Sequence, residues 1–219
     1  MPTFSDLSRA AYCPRQLYYA RTDDDRGPPP EAEARQALAF QYDDLRTADD
    51  ETLAELPINC SPTAYREALG ELSSRVDWKA LCNPVERDYF VEGKDCHGRI
   101  HKLLAGGSEP PVPTVISPGT PPENGVWEPQ SVRAVAAANA LAWEREQEIP
   151  RALVEYPAVG IVREVELTCR RTADYRRVLR TVRSMDGPPP RVNDNRCESC
   201  DYRTECGVKT RSLKSLLGL

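Results

Sequence analysis

"NRCESCDYRTECG", Asn195 to Gly207, carries Cys197, Cys200 and Cys206 in the spacing Cys-x2-Cys-x5-Cys. Two thiols separated by two residues can face one centre across a tight turn, and the third returns after a short loop. The set is one ligand short of a closed four-sulfur site. The fourth ligand has to come from Cys13, Cys60, Cys82, Cys96, Cys169 or a histidine. Cys13 is the best candidate. In "YCPR", Tyr12 to Arg15, its thiol stands at a proline-broken turn next to an arginine, which favours the thiolate. A centre closed by Cys13 staples the first helix to the C-terminal tail. Its spacing suits Zn2+ or a [4Fe–4S] cluster alike.

The bulk composition agrees with such a centre. The chain has 219 residues, 40% of them hydrophobic, enough for one generous domain with a real core. No run approaches the ~18 apolar residues of a spanning helix, and "MPTFSDLSRA" lacks a signal peptide's apolar stretch. The expectation is a cytoplasmic protein with no membrane partner. In a reducing compartment, eight cysteines argue for metal or cluster ligation over disulfides. Lysine occurs five times against 24 arginines, and acidic stretches such as "YDDLRTADDE" bring the net charge to −5. Such a surface is usual for halophilic, salt-adapted proteins. It leaves a nucleic-acid partner open, provided that a local basic patch exists.

The pattern along the chain alternates. "FSDLSRAAYCPRQLYYAR" reads as a helix capped by Ser5 and interrupted at Pro14. A proline break precedes the helix in "RGPPPEAEARQALAFQYDDL", and "PTAYREALGELSSRV" is helical. "RDYFVEGKDCHGRIHKLL" turns to strands, with Gly98 as the tight connection, and Pro113 to Ser117 form a further short β-run. "PQSVRAVAAANALAWEREQE" is a helix, and "RALVEYPAVGIVREVELT" a β-hairpin. In "TADYRRVLRTVRSM" Tyr175, Val178, Leu179 and Val182 repeat at i, i+3, i+4, i+7 behind a Thr172 cap. This order suits an α/β or α+β core with helical flanks, of which α/β is the expected class, in a single domain, residues 1–219.

"YCPRQLYYAR" and "PPPRVNDNRCESCDYRTECG" are similar to the two ends of the CRISPR-associated, RecB-like exonucleases, iron–sulfur members of the PD-(D/E)xK nuclease superfamily. The resemblance spans nearly the whole chain, specific at the cysteine-bearing ends and loose between them. It implies a restriction-endonuclease-like core, with residues 1–20 and 195–209 binding a [4Fe–4S] cluster through Cys13, Cys197, Cys200 and Cys206. DNA becomes the expected partner, together with CRISPR adaptation or DNA-repair proteins.

The departures from the family pattern bear on activity. Active relatives carry Gly-x-x-Asp on one strand, Glu-x-Lys on the next and Gln-x3-Tyr on the following helix. Here His101 stands in the Asp position, Ile116 and Pro118 in those of Glu and Lys, and Val135 and Asn139 in those of Gln and Tyr. Gln41 falls where an upstream histidine is expected. Mg2+ or Mn2+ needs hard carboxylate oxygens, and neither isoleucine nor proline supplies a ligand or an amine. The expectation is a nuclease fold that has lost its cutting centre. A rival Glu-x-Lys exists at Glu92–Lys94 with Asp77 upstream, and Glu109, Glu123 and Glu128 could belong to a relocated centre. His97 and His101, four apart on a strand, are too distant to share an ion. Arg170, Arg171, Arg176, Arg177, Arg180 and Arg183 form either a phosphate-binding stripe or a solvated face paired with carboxylates. Three functions follow: a non-catalytic DNA-binding or scaffolding protein, an exonuclease with a relocated centre, and a zinc-stapled protein of unrelated role.

Overall fold

The computed structural model describes residues 1–23, 27, 29–192, 195–198 and 200–207. Proline sets the boundaries at the start of the chain. α1, Phe4–Tyr12, ends at Cys13, whose backbone is extended (φ −159°, ψ 114°), and α2, Pro14–Ala20, restarts with proline at its first turn. The residue before a proline is sterically kept out of the helical region, so the break falls on Cys13 itself. The cap of α1 is Thr3, whose hydroxyl accepts from the Asp6 N–H at 2.9 Å; the expected Ser5 lies inside the helix. An extended residue preceding the first helical turn is the one able to reach back to the free amides.

A run of short helices follows: α3 (Pro30–Ala37), α4 (Tyr42–Leu45), α5 (Asp50–Ala54), α6 (Pro62–Arg75) and α7 (Trp78–Cys82). Asp49, Ser61 and Asp77 cap the last three through their side chains. β1 (Glu86–Glu92) and β2 (His97–Leu104) then form an antiparallel hairpin. Gly93 and Cys96 close its turn, the Gly93 N–H donating to Cys96 O at 2.9 Å. Gly98, expected to make the connection, lies within β2. A Cβ there would come 2.5 Å from the Phe4 ring, so glycine serves the close approach of α1 to the strand.

β3 (Val112–Ile116), α8 (Glu128–Arg145), β4 (Arg151–Tyr156), β5 (Ile161–Glu166) and α9 (Cys169–Arg183) follow, and α10 (Arg203–Cys206) closes the described chain. The sheet order is β1-β2-β3-β4-β5. Among these strands the β3–β4 pair is parallel and the other pairs antiparallel, because α8 carries the chain across between β3 and β4. The cap of α9 is Thr168, accepting from the Arg171 N–H at 3.3 Å, one turn before the expected Thr172. Its four periodic residues Tyr175, Val178, Leu179 and Val182 are all buried.

The sheet is covered on both faces. Val115, Ala152 and Val154 face a core shared with Phe4, Leu7, the alanine-rich side of α8 and the apolar stripe of α9. Val112, Ile116 and Leu153 face the opposite way, onto Leu45, Leu53, Tyr65, Leu69 and Leu81 of α4 to α7. Adjacent strand residues point to opposite faces, so with both faces covered β3 and β4 are buried along nearly their whole length. The architecture is α/β with a five-stranded mixed sheet. Among the described residues, no helix is long and apolar enough to cross a membrane.

Candidate functional site

Two places correspond to the residues singled out by sequence. The first lies where the chain ends meet. Cys13, Cys197, Cys200 and Cys206 line one small cavity of ≈ 20 Å³ together with Arg15, Gln16 and Tyr202. Cys13 and α2 supply one wall, and the turns around α10 supply the other. Contacts of high sequence separation fasten them: Arg15 donates to Pro189 O at 2.6 Å, Tyr19 OH to Glu205 O at 3.2 Å, and the Tyr19 and Tyr202 rings stack at 6.1 Å. Gln16 Nε2 lies 3.9 Å from Cys200 Sγ. Burial raises the pKa of the Cys200 thiol, and the neighbouring Cys13 and Cys197 raise it further. Burial opposes the Arg15 charge, but hydrogen bonds to Tyr19 and Cys206 overcome it, and the net shift is upward.

The four thiols therefore fit a thiolate-bound centre in number, chemistry and shared cavity. They are not gathered around one point: among the described residues, no group of three or more His, Cys, Asp or Glu side chains is placed to hold a single metal ion. The other cysteines lie elsewhere. Cys96 is buried with its sulfur 3.3 Å from Tyr175 OH, and Cys169 is exposed at the start of α9. Of the expected cluster-binding portion, Ser199, Val208 and Lys209 lie outside the described residues.

The second place is the end of β2 and β3. The Ile116 N–H donates to His101 Nδ1 at 3.0 Å, so two of the expected motif positions are side by side. The β1–β2 ladder omits an Asp88–His101 pair, and Asp88 takes φ +51°. This local irregularity releases His101 from regular pairing. Burial, then the nearby Arg133 and Lys102 charges, lower the His101 pKa to about 3, so the ring is neutral at physiological pH. Arg133 of α8 approaches its far side, with 3.4 Å between a guanidinium nitrogen and His101 Nε2. Burial lowers the Arg133 pKa to about 10. Among the described residues neither His101 nor Arg133 bonds to a carboxylate. A hard divalent cation does not fit between an imidazole, an isoleucine and a guanidinium.

The remaining candidates are dispersed. Val135 is buried in the core, Asn139 is half-buried on α8, and Gln41 donates to Ala37 O at 3.2 Å. Asp77 caps α7, Glu109 pairs with Arg151 at 3.3 Å, and Glu128 pairs with Arg177. Glu92 is exposed at the end of β1, and Lys94 Nζ lies 5.7 Å from the Trp143 ring centre. The His97 ring lies against Phe90, 5.9 Å between centroids. Within the α9 arginines, Arg177 and Arg183 are paired with acids, Arg183 to Asp95 at 2.7 Å, as a solvated face would be.

Sequence reading missed the buried charges. Lys102 and Glu155 pair at 2.8 Å with both side chains fully buried, and Thr114 donates to the other Glu155 oxygen at 2.9 Å. A charge within apolar runs, "IHKLL" and "ALVEY", was the available signal. The same holds for Arg133 in "SVRAVAAANALA".

No protein-family model matches this chain, and no curated protein matches it.

Proposed function

We propose that this chain is a [4Fe–4S] protein of PD-(D/E)xK nuclease architecture that binds or scaffolds DNA without cutting it, in partnership with CRISPR adaptation or DNA-repair proteins. The observation that carries this reading is the His101–Ile116 contact. The positions that should hold the metal-binding carboxylates are neighbours in space, on adjacent strands β2 and β3 with α8 following, and they carry an imidazole and an alkyl chain. Pro118, in the lysine position, supplies no amine; its carbonyl accepts from Arg35 at 3.5 Å. That Cys13 and the three late cysteines line one cavity supports the cluster half of the reading. When bound, the cluster would hold the two chain ends together and supply no hydrolytic chemistry.

Two measurements test the two halves. Protein purified without air should be brown, with broad absorbance near ~400 nm, iron and acid-labile sulfide, all lost in Cys13→Ser. A colourless protein with stoichiometric zinc rejects the cluster and leaves a zinc staple. Single- and double-stranded DNA incubated with Mn2+ or Mg2+ should stay intact. Cleavage that disappears in Glu92→Ala overturns the non-cutting reading.

A further inference from the structure

We propose that the cavity between α1, residues 119–130 and α8 binds the phosphate group of a nucleotide. This cavity, of ≈ 760 Å³, is lined by Arg9, Arg133 and Arg196, with Gln130, Trp127 and Glu128 completing the wall. It reaches the expected metal centre through Arg133, which lies on its wall and approaches His101 Nε2 at 3.4 Å. The inference extends the DNA-binding reading by naming the group recognised. It rests on that reading only for the polymeric source of the phosphate.

The bonding around Arg133 is incomplete in a specific way. His101 Nδ1 accepts the Ile116 amide, which places the ring proton of the neutral imidazole on Nε2. The Arg133 nitrogen 3.4 Å away is also a donor. Two donors therefore face each other, and among the described residues Arg133 Nε is buried without a partner as well. Buried donors left in this state are destabilising, a charged group most of all. One anionic oxygen placed against both would satisfy them. Gln130 donates to Ser117 Oγ at 3.3 Å, and whichever way its amide lies, one of its polar atoms is left over.

The charge balance selects an anion. Among the described residues, neither Arg9 nor Arg133 forms a salt bridge. Glu128, the carboxylate of the lining, is engaged by Arg177 from α9. Arg196 is held in place by Tyr12, donating to its carbonyl and lying over its ring at 5.6 Å. Guanidiniums from two separate helices, Arg9 of α1 and Arg133 of α8, suit a tetrahedral phosphate better than the single plane of a carboxylate. The volume exceeds what an inorganic ion needs and falls in the small-ligand range. At the rim Trp127 is 53% exposed, with its Nε1 donating to Thr120 O at 2.9 Å, so the ring is held with a face open to stack a base.

The test uses the full chain as purified without air, at about 0.1 M salt. Inorganic phosphate, a deoxynucleoside monophosphate, and a six-nucleotide single strand with and without a terminal phosphate are titrated by calorimetry. A terminal phosphate should tighten binding by about tenfold or more, as a new charge-assisted hydrogen bond does. Arg133→Gln should erase that increment and Arg133→Lys retain part of it. Trp127→Ala should weaken the nucleotide and leave inorganic phosphate unchanged. Should Arg133→Gln fail to fold, Arg9→Gln, on the cavity wall of α1, should lower phosphate affinity in its place. Binding of the monophosphate but not the strand supports the site and overturns the polymeric source. Indifference of the wild type to phosphate, or wild-type affinity in folded Arg133→Gln and Arg9→Gln, overturns the proposal.

Discussion

Lys102 Nζ lies 2.8 Å from Glu155 Oε2, and neither side chain has any exposed surface. The pair joins β2 to β4 across β3, and the Lys102 ammonium also donates to Ala39 O at 2.6 Å and Leu81 O at 3.2 Å. The Tyr42 ring centre stands 4.8 Å from the ammonium. Burial raises the Glu155 pKa, with Lys102 and Thr114 opposing the shift. Desolvation of two ions offsets most of their attraction, so the pair is worth far less than the cost of breaking it. Lys102→Met should destabilise the protein by about 3–5 kcal/mol in urea unfolding, and Lys102→Met with Glu155→Leu should recover much of that. A loss under about 1 kcal/mol for Lys102→Met would show that water or a neighbour replaces the lost partner.

His101 makes stability depend on pH. Its folded pKa, about 3, lies below the ordinary 6.5, so between these values the unfolded chain takes up a proton that the folded one refuses. The stabilisation from keeping the ring neutral is complete above about pH 6.5 and lost as pH falls toward 3, at up to ~1.4 kcal/mol per pH unit. Relative to His101→Gln, the wild type should lose stability across that window and show no difference in slope above pH 7. Parallel profiles throughout would remove His101 as the titrating group.

Glycine substitutions should divide by sign. A Cβ at Gly93 would meet the Ala140 Cα at 2.5 Å, and one at Gly98 the Phe4 ring at 2.5 Å. Gly93→Ala and Gly98→Ala should each cost about 1–3 kcal/mol, as overpacking does. Gly70, exposed within α6, has nothing within 4 Å of its added Cβ. Gly70→Ala should gain about 0.5–1 kcal/mol through helix propensity and a less free unfolded chain. Thermal unfolding of the three variants reads both signs at once.

The caps of α9 make a paired experiment. Thr168→Ala removes the hydroxyl that satisfies the Arg171 N–H and should cost about 1 kcal/mol. Thr172→Ala lies within the helix and should change stability by no more than about 0.5 kcal/mol. The reverse ranking in denaturant midpoints would return the cap to Thr172.

Much of the local structure was legible. Pro14 broke the first helix where its ring had to, and the i, i+3, i+4, i+7 residues of α9 are the buried ones. Both signals act within a few residues, through a fixed φ angle or one helical face. The two misplaced caps failed for a related reason: several hydroxyls lay within one turn of each helix start, and backbone geometry chose Thr3 and Thr168. Gly98 was misread because glycine also serves close packing, and the packing partner, Phe4, lies far away in sequence.

From the chain alone came the helices and strands in order and a mixed α/β class, with Cys13, Cys197, Cys200 and Cys206 grouped as an expectation. Tertiary structure decided the parallel β3–β4 pairing, the turn of His101 toward Ile116, the burial of Lys102 with Glu155 and the meeting of Arg9, Arg133 and Arg196 in one cavity. The division has a physical cause. Periodicity and turn chemistry are written in neighbouring residues, whereas desolvation and charge pairing depend on which distant segments close over a group, and packing of the whole core determines that.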